Sequence, residues 1–195
     1  MKTLILLFLL VAGAGARAQS GNLMVADFEG GKVETVQGLA LVPFTDEQLG
    51  GTSEARLTLS HPGADGSRGA LQISFRITGD FPMPFGGVLA MLGPEGLATD
   101  LTSHKGVRFY ARSKEKVFFA SVGQFRGQAI RYMAPFETKP EWTLVELPFD
   151  KFQRVPPAGS PSPLVPKDVV AIGFGGAPQM RGQFDLDIDR LEIYR

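Results

Sequence analysis

Cysteine is absent from this chain. That absence removes disulfide frameworks, cysteine-bound zinc and thiol chemistry together, so stability has to come from a packed core or from a metal held by oxygen. Histidine occurs only twice, at His61 and His104, each in a turn-like context and neither near a Gly-x-Ser-x-Gly motif. A hydrolytic triad needs a nucleophile, an imidazole and an orienting acid, and two isolated histidines give no such pattern. Excess charge is missing too: Lys+Arg 20 balance Asp+Glu 20, which provides no basic field for nucleic acid. No segment keeps a helical hydrophobic period for three turns, which excludes a helical bundle.

The one uninterrupted apolar run lies at the N-terminus. Lys2, the run from Leu4 to Ala14 and the small-x-small triplet Ala16-Arg17-Ala18 have the form of a secretory signal peptide over residues 1–18, too short to span a bilayer. The expectation is an exported protein, periplasmic or extracellular, with no membrane span after cleavage. Residues 19–195 then form one domain of ordinary size. No cysteine follows the run, so lipid modification at that point is excluded. Hydrophobic residues make up 44% of the chain and Phe numbers 15, enough to fill a substantial core.

What is present is alternation. Short apolar/polar segments punctuated by Gly, Pro, Asn or Asp recur near residues 23–29, 39–43, 55–60, 70–78, 87–92, 107–113, 117–125, 129–135, 142–147, 169–175 and 184–194. Period-two patterning at this density predicts an all-β fold, an antiparallel sandwich of two sheets. In 70–78, Leu71, Ile73, Phe75 and Ile77 make a core face; in 107–113, Val107, Phe109 and Ala111 do the same. Asp65-Gly66 is a turn signal that pairs 55–60 with 70–78. Phe118, Phe119 and Phe125 put aromatics on both faces of their strand, so it is either covered on both sides or carries an aromatic on a binding face. The prolines of 156–166 mark a loop outside the ladders.

The last segment changes parity. Phe184, Leu186 and Ile188 alternate with Asp185, Asp187 and Asp189, but Leu191 and Ile193 share the parity of the aspartates. A bulge near Asp189 and Arg190 would re-register the strand. Calcium is the metal the chain is equipped to hold, with oxygen ligands at Asp27 and Glu29 in the first strand and Asp187 and Asp189 in the last; a solvated strand face is the alternative. For a glycan or peptide surface, Arg76, Arg108, Tyr110, Arg112, Gln124, Arg131 and Tyr132 would supply planar donors and stacking groups if their strands are adjacent. Trp142 is assigned to the core. The run Gly173-Phe174-Gly175-Gly176 lacks the spacing and the following helix of a phosphate loop.

Several blocks then fall in order: Asp27-Phe28-Glu29; Asp46-Glu47-Gln48-Leu49-Gly50-Gly51-Thr52-Ser53; Phe85-Gly86-Gly87-Val88; Asp100-Leu101-Thr102-Ser103; Trp142 through Pro148-Phe149 to Phe152; Ile172-Gly173-Phe174; and Gly182 to Asp189. Together they resemble the complex I intermediate-associated protein 30 family, whose domain is similar to a galactose-binding-type jelly roll and to family 11 carbohydrate-binding modules. The resemblance implies a non-catalytic domain that recognises a protein or carbohydrate partner. It also implies a structural calcium at Asp27 or Glu29 with Asp189. An assembly or chaperone-like factor for a membrane or envelope complex, and a glycan-active enzyme with two carboxyls about 5–10 Å apart, are the alternatives. At Ser113-Lys114-Glu115-Lys116 the chain departs from the glycine-rich turn of the family.

Overall fold

The computed structural model describes residues 21–125, 129–155, 162–176 and 179–195; the signal-peptide expectation lies outside the described residues. Twelve strands are described: β1 (Leu23–Ala26), β2 (Val42–Thr45), β3 (Glu54–Ser60), β4 (Ala70–Ile77), β5 (Gly86–Met91), β6 (Gly106–Arg112), β7 (Val117–Phe125), β8 (Ala129–Glu137), β9 (Thr143–Pro148), β10 (Gln153–Arg154), β11 (Val169–Gly175) and β12 (Gly182–Tyr194). They form two antiparallel sheets. The first runs β3-β4-β12-β6-β9 with β1 added against β12, and the second runs β10-β8-β7-β11-β5-β2. Only three short 3₁₀ turns interrupt the β structure among the described residues, and no helix there is long and apolar enough to cross a membrane.

Alternation sorts the side chains as the sequence reading expected. Leu71, Ile73, Phe75 and Ile77 of β4 and Val107, Phe109 and Ala111 of β6 are buried. They meet Phe118, Phe136 and Phe174 of the second sheet, where Phe109 packs edge-to-face on Phe174 at 4.7 Å and on Phe136 at 5.0 Å between ring centroids. Aromatic pairs in this geometry add to the area they bury. The β3–β4 connection turns at Asp65 (φ 48°) and Gly66 (φ 78°), two successive left-handed residues closed by the Ser67 N–H to Ala64 carbonyl bond at 2.9 Å. That is the hairpin chemistry Asp-Gly favours.

The parity change in β12 is a bulge. Its first half pairs with β4 from Gly182 to Ile188, its second half with β1 from Leu191 to Ile193, and its ladder to β6 shifts register between Asp189 and Glu192. Arg190 takes φ 50° at the break. One long strand thus serves two neighbours on one edge, and the bulge turns Leu191 and Ile193 back into the core, where they are 1% and 0% exposed.

Candidate functional site

The side chains expected to make one binding surface lie on two different sheets. Arg76 (β4), Arg108, Tyr110 and Arg112 (β6) lie on the outer face of the first sheet, whereas Gln124 (β7) and Arg131 (β8) belong to the second. The arginines of the first sheet are already paired. Arg76 meets Glu54, Arg108 meets Glu192 at 2.7 Å, and Arg112 meets Asp187 at 2.8 Å while stacking over Trp142 at 4.4 Å. Trp142 is accordingly half-buried beneath Arg112 rather than in the core. Gln124 points inward: its amide donates to the Val165 carbonyl at 2.7 Å and to that of Lys167, tying down the segment before β11. Tyr132 is likewise a core residue. The expected set is therefore divided between two sheets and does not form one continuous surface, because adjacency of strands in sequence is not adjacency in a sheet.

Arg131 is the exception, and it marks a groove on the outer face of the second sheet. Outward positions of β5, β11 and β7 include Gly87, Gly173, Gly175 and Gly123; Gly175 lies between Gly87 and Phe119, Gly173 between Leu89 and Ser121, and Gly123 opposes Ala171. At Gly173 a Cβ would lie 2.6 Å from the Val88 carbonyl oxygen and 2.7 Å from Ser121 Oγ, so the floor admits no side chain there. Glycine inside a strand marks a close backbone approach or a ligand. Two adjoining depressions lie here: one of about 440 Å³ walled by Phe44, Phe85, Leu89, Met91, Phe125 and Arg131 over Ser121, Gly123 and Ala171, within the range of small-ligand sites, and one of about 40 Å³ over Gly87 and Gly175 that shares Phe44, Phe85 and Arg131 with it. Phe119, the second aromatic of β7, points the same way.

The wall nearest β2 is built by a local motif. The 3₁₀ turn Asp46–Leu49 ends at Gly50 in the left-handed region (φ 91°), and the chain doubles back past Gly51, where a Cβ would collide with the Asp46 carboxylate. Asp46, fully buried, accepts the Ser53 N–H at 2.9 Å, the Ser53 hydroxyl at 2.7 Å and the Phe85 N–H at 3.0 Å. This accounts for the Asp-x-x-x-Gly-Gly-x-Ser block residue by residue. Its effect on the groove is to hold Phe85 against Phe44, with centroids 4.8 Å apart and planes 25° apart. The Arg131 guanidinium lies 4.0 Å over Phe44 and 6.0 Å from Phe85. Burial disfavours its charge, yet no acidic side chain pairs with it among the described residues.

The acids proposed for calcium lie at one end of the first sheet. Asp189, fully buried, accepts the Ala64 N–H at 2.8 Å, the Ser67 hydroxyl and the Arg190 N–H at 2.7 Å. Burial raises its pKa above the ordinary value, partly opposed by these donors, with the charge of Glu29 adding to the rise. Glu29 accepts the Arg68 N–H at 2.8 Å and the Gly69 N–H at 3.3 Å, bonds that lower its pKa. Asp27 turns to the Glu29 N–H at 3.2 Å, and Asp187 is taken by Arg112. No group of three His, Cys, Asp or Glu side chains placed to hold a metal occurs among the described residues. Protein donors engage Asp27, Glu29 and Asp189 separately, so the three carboxylates do not converge on one point. What Asp189 visibly does is pin the β3–β4 loop into the notch between the start of β4 and the end of β1.

His61 Nδ1 lies 2.7 Å from the Arg68 carbonyl and His104 Nδ1 lies 3.2 Å from its neighbour Ser103 Oγ. Neither is joined to an orienting acid among the described residues. Sequence reasoning had Arg131 and the exposed-aromatic alternative for β7, but missed Phe44, Phe85 and the floor of small residues. The signal was there in the in-strand glycines of Phe85-Gly86-Gly87 and Ile172-Gly173-Phe174.

Comparison with known proteins bears on this geometry. Residues 28–188 match the model of the family described as Complex I intermediate-associated protein 30 (CIA30). Among solved structures, the family 11 carbohydrate-binding module of the cellulosomal cellulase Lic26A-Cel5E of Clostridium thermocellum superposes with a TM-score of 0.68 at 19% identity, covering 90% of this chain and 95% of that one. The family 11 module from the same organism in complex with a β-1,3-1,4-mixed-linked tetrasaccharide gives 0.66 at 18% identity, covering 90% and 96%. An exo-β-agarase gives 0.56 at 14% identity, covering 88% of this chain but 24% of the enzyme's. At these identities the likeness is one of fold. No curated protein matches the sequence significantly.

Proposed function

The chain belongs to the complex I intermediate-associated protein 30 family, and from that premise we propose that it is an exported, non-catalytic binding module that takes a carbohydrate chain in the groove on its second sheet. The observation that carries the reading is the groove itself: about 440 Å³ with aromatic and aliphatic walls over a floor of small residues, Ser121, Gly123 and Ala171, adjoining the Gly87–Gly175 pair. A sugar ring presents a C–H face that stacks on aromatic rings and hydroxyls that bond to exposed polar groups. Here the rings are Phe85, Phe119 and Phe125, with Phe125 60% exposed, and Ser121 supplies a hydroxyl at the floor. The first sheet offers a cleft of about 340 Å³ beside Arg112 and Asp187, but these two already pair with each other.

The carbohydrate-binding module neighbours support a saccharide over a protein partner. The test is retention on a panel of immobilised plant, algal and bacterial polysaccharides, run beside a pull-down from the envelope fraction. Retention by at least one polysaccharide, abolished by Phe85→Ala in a variant with an unchanged circular dichroism spectrum, is the expected result. Stoichiometric capture of a protein with no polysaccharide retained would overturn it.

A further inference from the structure

The groove holds one charged side chain that the fold itself leaves unanswered. Arg108 and Arg112 on the first sheet are no more exposed than about a third, and each lies within 2.8 Å of a carboxylate. Arg131 is half-buried and its burial disfavours the charge it always carries, yet among the described residues no carboxylate pairs with it, and its guanidinium lies 4.0 Å over Phe44 and 6.0 Å from Phe85. A desolvated cation without a counter-ion is unfavourable unless something else supplies the anion. Its place over the Phe44 ring holds the guanidinium at the groove wall. The complement of a planar fork is a carboxylate taken bidentately.

Resting on the carbohydrate reading above, we propose that the groove's ligand is an acidic saccharide, a uronate-containing chain whose carboxylate is gripped by Arg131 while the adjoining sugar rings lie against Phe85, Phe119 and the floor of small residues. A sugar acid fits both halves of the site at once. The apolar walls suit the C–H faces of sugar rings, and a single arginine suits one carboxylate per bound unit. A densely charged polymer without ring faces would use only the arginine.

Isothermal titration of the full chain with polygalacturonate and with alginate, beside the same polymers after carboxyl reduction to neutral sugars, tests this directly. Expected are binding of at least one acidic polymer, a loss of about 10- to 100-fold on carboxyl reduction or in Arg131→Gln, partial recovery in Arg131→Lys, and weakening with added salt. Equal binding of acidic and reduced polymers would overturn the carboxylate while leaving a carbohydrate site standing. Equal binding of poly-glutamate would overturn the saccharide and leave a charge sink. Binding of no polysaccharide, acidic or neutral, would overturn both this inference and the function on which it rests. Should Arg131→Gln fail to fold, the reduced polymers with the unaltered chain still decide the matter.

Discussion

Asp46→Ala is expected to destabilise the protein by about 3–5 kcal/mol. The carboxylate is fully buried and takes three donors, the N–H and hydroxyl of Ser53 and the N–H of Phe85. Each hydrogen bond to a charged group contributes about 1.5–3 kcal/mol net, and removing the acceptor strands buried donors that water has little room to reach. The three share one network, so their losses do not add in full, and the total falls at the upper end of what single substitutions do. For a chain of this size each kcal/mol moves the melting temperature by about 2–4 °C, giving a drop of about 6–20 °C. Ser53→Ala removes one donor from Asp46, leaves the other two and takes the acceptor from the Thr78 N–H, so its cost is about 1–2 kcal/mol, and the double variant should exceed Asp46→Ala only by the loss at Thr78. Chemical denaturation and calorimetry of the four proteins complete the cycle. Ligand retention should fall with Asp46→Ala under conditions where the variant is folded, because Phe85 loses the bond that holds it to Phe44. A loss below about 1 kcal/mol with undiminished retention would refute the assignment of Asp46 as the brace of the groove wall.

Gly173→Ala places a Cβ 2.6 Å from the Val88 carbonyl oxygen; overpacking of this kind costs about 1–3 kcal/mol, measured by urea denaturation, and should weaken ligand retention. Asp189→Ala frees the β3–β4 loop from β12 and should accelerate amide exchange at Ala64 and Ser67. Because the donors on Asp189 are protein groups, a chelator should leave the melting temperature of the unaltered protein unchanged, and a chelator-sensitive protein made insensitive by Asp189→Ala would instead make Asp189 a metal ligand. The two acids at that end respond oppositely to pH. Glu29 has a lowered folded pKa, so its contribution is present above about 4.5 and lost as pH falls through the folded value. Asp189 has a raised one, so its contribution is present below about 3.8 and lost as pH rises through the folded value. Glu29→Gln should therefore flatten the acid limb of the stability profile, and an unaltered limb would count against the Arg68 and Gly69 bonds.

The strands were legible because burial follows parity, as in Leu71 to Ile77 of β4, and the bulge was legible because Leu191 and Ile193 break it. The pairing of first and last strands was visible only through the acids placed there. The site was less legible. Arg76, Arg108 and Arg112 share the outward parity of Arg131, and nothing local says that β4 and β6 flank β12 in one sheet while β8 sits in the other. Gln124 and Tyr132 showed the opposite failure, since an inward polar or phenolic side chain reads like an outward one until the facing sheet is known. The Asp-x-x-x-Gly-Gly-x-Ser block was recognisable as a pattern, but its purpose depends on Phe85, more than thirty residues away.

Backbone amide shifts of ¹⁵N-labelled protein, titrated in turn with a mixed-linked β-glucan tetrasaccharide and an oligogalacturonate, test the location of binding most directly. Saturable perturbations at Ser121, Arg131, Gly173 and Gly175, larger with the oligogalacturonate, are the expected result. Perturbations confined to Arg76, Arg108 and Arg112 on the opposite sheet, or none with either saccharide, would contradict a carbohydrate site in this groove.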